Sequence, residues 1–132
     1  MRKRHCIGIL CCLMIMACGK PSPNYDKKVL QGNWLRIESS DARSDSMTVH
    51  VAWRDSAVVT FVPQNSNFSL QQLKWKSVTA VAEFGDFQFL DLSADSNYWK
   101  AFITMKSTTE LEINNAEHPN APGGKQKWVK FQ

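Results

Sequence analysis

The chain has 132 residues, 43% of them hydrophobic, with four cysteines and a net charge of +4 at pH 7. Three of its sixteen Lys and Arg are Arg2, Lys3 and Arg4; from Cys18 onward thirteen stand against twelve Asp and Glu, a net charge of +1. That near-neutral balance argues against nucleic acid or an anionic membrane surface as a dedicated partner. All four cysteines lie in the first eighteen residues, so the chain beyond them has none for a disulfide, a thiolate–zinc site or a cysteine nucleophile.

The leader comes first. A basic start at Arg2–Arg4 precedes an apolar run from Cys6 to Met16 and a small residue, Ala17, directly before Cys18. This is the layout of a secretory signal peptide over residues 1–17. The run is eleven residues long, short of the roughly 20 that span a bilayer. Ile15-Met16-Ala17-Cys18 resembles the lipobox of bacterial lipoproteins. The resemblance implies cleavage before Cys18 and lipidation of its sulfur, with acyl chains such as palmitate, and two or more chains hold a protein stably on a bilayer. An ordinary secretory signal with Cys18 incidental is the alternative. Lipoproteins in general imply the outer membrane from Gly19, which replaces the Asp of inner-membrane retention. The missing acidic run of surface-exported lipoproteins implies a periplasm-facing orientation.

Residues 18–24, with Pro21 and Pro23, read as a tether, and 25–132 as one domain. Asn24 as N-cap, Asp26 in the first turn and Gly32 as a stop predict a short helix. Strands are expected at Trp34–Glu38, Met47–Trp53, Ala57–Val62, Leu70–Ser77, Thr79–Phe84, Phe87–Leu92, Tyr98–Lys106, Glu110–Asn114 and Lys127–Phe131, on β-branched and aromatic content between turn clusters. Eight or nine short strands at regular spacing predict a barrel or a sandwich. Phe84-Gly85-Asp86-Phe87 predicts a two-residue hairpin with Phe84 opposite Phe87. Lys74-Trp75-Lys76 predicts Trp75 facing in and both lysines facing water.

Val29-Leu30-Gln31-Gly32-Asn33-Trp34 resembles the start of lipocalin-like (calycin) proteins, where a short helix leads into Gly-Xaa-Trp on the first strand. The later strands resemble those of small lipocalin-like lipoproteins of Bacteroidetes type. The resemblance implies an all-β fold: a small eight-stranded antiparallel up-and-down barrel with a short N-terminal helix. Gly32 and Trp34 would be structural, and Lys127 or Lys130 would pack on Trp34 where the family has an Arg. Trp53, Trp75, Phe87, Phe89 and Trp99 would line the barrel.

Catalytic patterns are sparse. His50 sits mid-strand and His118 in the loop 114–124, with no ligand spacing around either. No nucleophile-elbow or phosphate-loop motif occurs. The sequence therefore predicts no enzyme, no cofactor and no metal. It leaves two functions open: a membrane-anchored barrel holding a small apolar ligand, or an envelope lipoprotein that binds another protein through its outer face or the 114–124 loop.

Overall fold

In the computed structural model, residues 25–52 and 55–132 are described; the leader, Cys18, the tether, Asn24 and Trp53 lie outside them. Eight strands follow in chain order: β1 Gly32–Ser39, β2 Thr48–Val51, β3 Ala57–Phe61, β4 Leu73–Thr79, β5 Phe87–Leu92, β6 Tyr98–Met105, β7 Glu110–Asn115 and β8 Lys125–Lys130. Each pairs antiparallel with the next, and β8 returns to β1, closing an up-and-down barrel. Of the barrel and the sandwich that the strand spacing allowed, the chain forms the barrel, the architecture that the lipocalin-like resemblance implied. Closure pairs every strand on both edges, which removes the open edge of an ordinary sheet.

The interior follows from alternation. Val49 and Val51 of β2, Phe87 and Phe89 of β5, Leu111 and Ile113 of β7, and Trp128 of β8 are buried. Their neighbours one residue away are polar at positions such as His50, Gln88, Glu112 and Lys127. A period of two sends alternate side chains to opposite faces, so one face of each strand fills the barrel.

A 3-10 turn at Lys27–Leu30 precedes β1. Its cap is Asp26, whose carboxylate accepts the Lys28 N–H at 2.9 Å, so the capping expected of Asn24 is supplied two residues later. Gly32 then enters β1 with φ +123°, and a Cβ there would stand 3.3 Å from the Gln132 carbonyl oxygen. An L side chain is strained in that backbone region, which explains glycine at this point.

Three local expectations are corrected. Leu70–Gln72 is a turn rather than the start of β4, with Gln71 at φ +70°. Thr79–Phe84 is not a strand. The Phe84–Phe87 hairpin does not form: β4 ends at Thr79, paired with Gln88, and residues 80–86 make a longer loop. That loop lies along the outside of β6. Phe84 packs edge-on against Phe102 at 5.5 Å, Glu83 meets Lys100 at 3.1 Å, and the Asp86 N–H donates to the Ile103 carbonyl at 2.8 Å. Gly85 sits so close to β6 that a Cβ would lie 2.6 Å from the Ile103 carbonyl oxygen. Its glycine answers that close approach, not a tight turn. The outer aromatic contact and the Asp86 carboxylate, which accepts the Met105 N–H at 2.8 Å, outweigh the local hairpin preference.

Candidate functional site

The two ends of the barrel are built differently. At the end where the chain enters, Trp34 is fully buried and its indole N–H donates to the Leu30 carbonyl at 2.8 Å. Lys130 of β8 holds its ammonium 5.1 Å from the centre of the Trp34 ring and donates to the Val29 carbonyl at 2.6 Å. Of the two lysines that could cover Trp34, Lys130 is therefore the one that does. It joins the last strand, the first strand and the 3-10 turn in one contact, and partial burial holds its pKa below the ordinary lysine value. Above Trp34, Trp75 stands edge-on to Phe89 at 5.7 Å and to Trp128 at 5.2 Å. These rings, with Phe87 and Ile103, fill the middle of the barrel.

The opposite end is ringed by the loops β1–β2, β3–β4, β5–β6 and β7–β8. Beneath them four polar side chains point inward: Arg36, Lys74, Asp91 and Gln126, with Arg36 only 2% and Lys74 only 1% exposed. Three of them obey alternation. Arg36 follows Trp34 by two residues, Asp91 follows Phe89, and Gln126 precedes Trp128. Lys74 does not. Ala57 pairs with Trp75 and Val58 with Leu73, so Lys74 is the extra residue of a β-bulge. A bulge re-aims a side chain, and Lys74 joins Trp75 inside. The expectation that both lysines of Lys74-Trp75-Lys76 face water is corrected: Lys76 lies over the Tyr98 ring outside, while Lys74 is buried.

The four groups form a network. The Lys74 ammonium pairs with one Asp91 oxygen and donates to the Leu92 carbonyl at 2.6 Å. The other Asp91 oxygen accepts from the Gln126 amide at 2.8 Å, and the Gln126 carbonyl oxygen accepts the Trp128 indole N–H at 2.9 Å. Arg36 is less well served. Its Nη2 donates to the Asp41 carbonyl at 3.0 Å, while Nε, buried and 3.3 Å from Asp45, makes no hydrogen bond. Burial lowers the pKa of both cations; Asp91 opposes this at Lys74, and Asp45, Asp91 and Asp41 oppose it at Arg36.

Over this network lies a cavity of about 270 Å³. Arg36, Lys74, Asp91 and Gln126 line its inner end, and Phe68, Leu92, Trp99 and His118 its walls. Phe68 covers Lys74, its ring centre 5.0 Å from the ammonium. Trp99 and His118 meet edge-on at 5.3 Å. The Ser40 hydroxyl donates to the Ala121 carbonyl at 3.0 Å, and the Ser44 and Ser66 hydroxyls meet at 3.0 Å, so the mouth loops brace one another. A hollow of equal volume lies on the outer wall near Glu38 and Lys127, without Arg36, Lys74 or Asp91 in its lining.

Among the predicted residues, Trp75, Phe87 and Phe89 are buried in the barrel, and Trp99 is half-buried in the cavity wall. Trp53 lies outside the described residues. His50 is exposed on β2, its Nδ1 2.8 Å from the Asn33 side-chain oxygen. Sequence reading did not single out Arg36, Asp91 or Gln126, although their two-residue spacing from buried aromatics was the available signal. Among the described residues no three of His, Cys, Asp and Glu come together as a metal site, and no helix is long and apolar enough to cross a membrane. The chain matches no protein-family model, no curated protein and no solved structure.

Proposed function

We propose that this chain is a bacterial lipoprotein, held by acylated Cys18 on the periplasm-facing side of the outer membrane, whose lipocalin-like barrel binds a small ligand in its mouth. It is a binding protein and not an enzyme. The observation that carries this reading is the 270 Å³ cavity over buried Arg36, Lys74 and Asp91. Pockets that take small molecules combine apolar walls with a few converging polar groups, and the middle of this barrel is already filled by its own rings. The contact of Lys130 with Trp34 and the 3-10 turn supports the lipocalin-like resemblance. Tyr25 packs against the core at the entry end, so residues 18–24 would hold that end to the bilayer and turn the mouth away from it.

Native mass spectrometry of the protein purified from its own host tests the reading. A small-molecule adduct is the expected result; a bound protein with no adduct overturns it. Replacement of Cys18 by Ser is expected to abolish fatty-acid labelling and flotation with membranes, and persistence of both refutes the anchor. A second reading, attachment to an envelope protein, is favoured by one feature: Val81 and Phe84 of the outer loop 80–86 are 83% and 65% exposed. The 114–124 loop serves that reading less well, because it forms part of the cavity wall.

A further inference from the structure

We infer that the mouth cavity receives a small uncharged molecule bearing a carbonyl oxygen, which accepts hydrogen bonds from the Trp99 indole and the Asn115 amide on the cavity wall. This rests on the cavity being the binding site and adds the chemistry of its occupant.

The charges around the cavity are already engaged within the protein. Lys74 pairs with Asp91 and donates to the Leu92 carbonyl, and the second Asp91 oxygen accepts from Gln126. Arg36 is ion-paired with Asp45 at 3.3 Å and donates to the Asp41 carbonyl at 3.0 Å. On the rim, Asp41 lies 3.3 Å from Arg43, and Asp95 accepts from the Ser93 hydroxyl and the Asn97 N–H. Three carboxylates (Asp41, Asp91 and Asp95) and two cations (Arg36 and Lys74) line the cavity. An added anion meets that excess of negative charge, and an added cation meets Arg36 and Lys74 at the inner end. A charge taken out of water without a partner is costly, so the occupant that fits is uncharged.

The wall beside these charges offers neutral donors. Trp99 keeps step with buried Ala101 and Ile103 of β6, and Asn115 with buried Leu111 and Ile113 of β7, so both stand on the inward face. Asn115 pairs with Ala101, which makes Trp99 and Asn115 diagonal neighbours on that face. His118 joins them: its ring meets the Trp99 ring at 5.3 Å, and its backbone N–H donates to the Asn115 side-chain oxygen at 2.8 Å. The Glu117 N–H donates to the same oxygen at 2.9 Å. With its oxygen committed to two backbone donors, Asn115 presents its NH2 group as a donor. Among the described residues neither that group nor the Trp99 indole N–H has an acceptor, and neither is a buried atom. Their common complement is a carbonyl oxygen, which takes two donors and brings none of its own. A hydroxyl would add a donor to a wall of donors. Phe68 and Leu92 in the lining supply apolar surface for the rest of the molecule. A water occupies about 30 Å³ of liquid, so 270 Å³ has room for a molecule of about nine non-hydrogen atoms.

Acetophenone is a probe of that size. Its companions are α-methylstyrene, in which a methylene replaces the carbonyl oxygen, benzoate as an anion and benzylammonium as a cation. The full chain in a nonionic detergent is titrated with each by NMR, with free probe concentrations fixed by detergent-only controls. Acetophenone is expected to bind about fivefold more tightly than α-methylstyrene, the range of a net neutral hydrogen bond. It is expected to bind at least about tenfold more tightly than either charged probe, and to move the Trp99 indole N–H proton downfield. Trp99→Phe is expected to lower the preference over α-methylstyrene to about twofold or less; the probe series on the unaltered chain decides the matter even if that variant does not fold. Equal binding of acetophenone and α-methylstyrene overturns the carbonyl while leaving a cavity that takes small molecules. Tighter binding of benzoate or benzylammonium overturns the uncharged occupant, and binding of no probe overturns the inference whole. In that last case the adduct search by native mass spectrometry judges the cavity on its own.

Discussion

The entry end and the mouth use the same device, an inward-facing side chain every second residue, to opposite effect. At the entry end the inward residues are Trp34, Val49 and Val51, and the Trp34 indole and the Lys130 ammonium each find an acceptor, while the buried indole N–H of Trp75, which shares a hollow with Leu30 and Val51, makes no hydrogen bond. At the mouth the inward residues are Arg36, Lys74, Asp91 and Gln126, and the match is incomplete at Arg36. An apolar interior would be cheaper, since replacing a buried ion pair by packed hydrophobic residues is often neutral or stabilising. On that contrast the entry end is organised for stability, and on the proposed reading the mouth keeps charges of small stabilising value for recognition.

The largest loss of stability is expected at the entry end. Trp34→Ala removes a fully buried ring and is expected to cost about 3–5 kcal/mol, read as a fall in the urea midpoint or as loss of the folded state. Asp91→Ala is expected to cost a similar 3–5 kcal/mol or so, because it strands the Lys74 ammonium inside the barrel. The sharper test is the double variant Lys74→Met/Asp91→Leu. It is expected to recover most of that loss, and a double variant as unstable as Asp91→Ala would show the pair to be structural in its own right.

Lys130→Met is expected to be milder, about 1–2 kcal/mol, for one charged hydrogen bond and one cation–π contact at a partly exposed site. Lys74 also predicts a pH dependence. Burial holds its folded pKa below the ordinary value of 10.5, so between the two values the unfolded chain binds more protons. Stability from this group therefore rises as pH climbs through that window and is lost as pH falls through the folded pKa. The Lys74→Met variant lacks this rise, measurable as a difference in the slope of urea midpoint against alkaline pH. Smallest of all is Phe84→Ser, expected to cost under about 1 kcal/mol because the ring is 65% exposed on the outer wall. A larger loss would restore the tight hairpin with Phe87.

The barrel was legible in the sequence because its signals are local and repeated: alternation, β-branched runs and turn clusters at regular spacing. Trp34 and the turn before it were legible for the same reason. Three of the four mouth residues were legible in principle, since Arg36, Asp91 and Gln126 keep step with Trp34, Phe89 and Trp128. A charge on an aromatic face is easily taken for an edge of that face. Lys74 was not legible. Its inward position depends on a bulge, and a bulge is fixed by pairing between β3 and β4, not by the residues around it. The loop 80–86 escaped for a related reason: Phe84 chooses Phe102, eighteen residues away, over Phe87, three residues away.

Mapping onto the chain the NMR shifts caused by the adduct that native mass spectrometry identifies tests most directly the proposal that recognition belongs to the mouth and stability to the entry end. Shifts are expected at the Trp99 indole, His118 and the Arg36 side chain, with the Trp34 indole unmoved. Shifts centred on Trp34, or on Val81 and Phe84 of the outer loop, would contradict it.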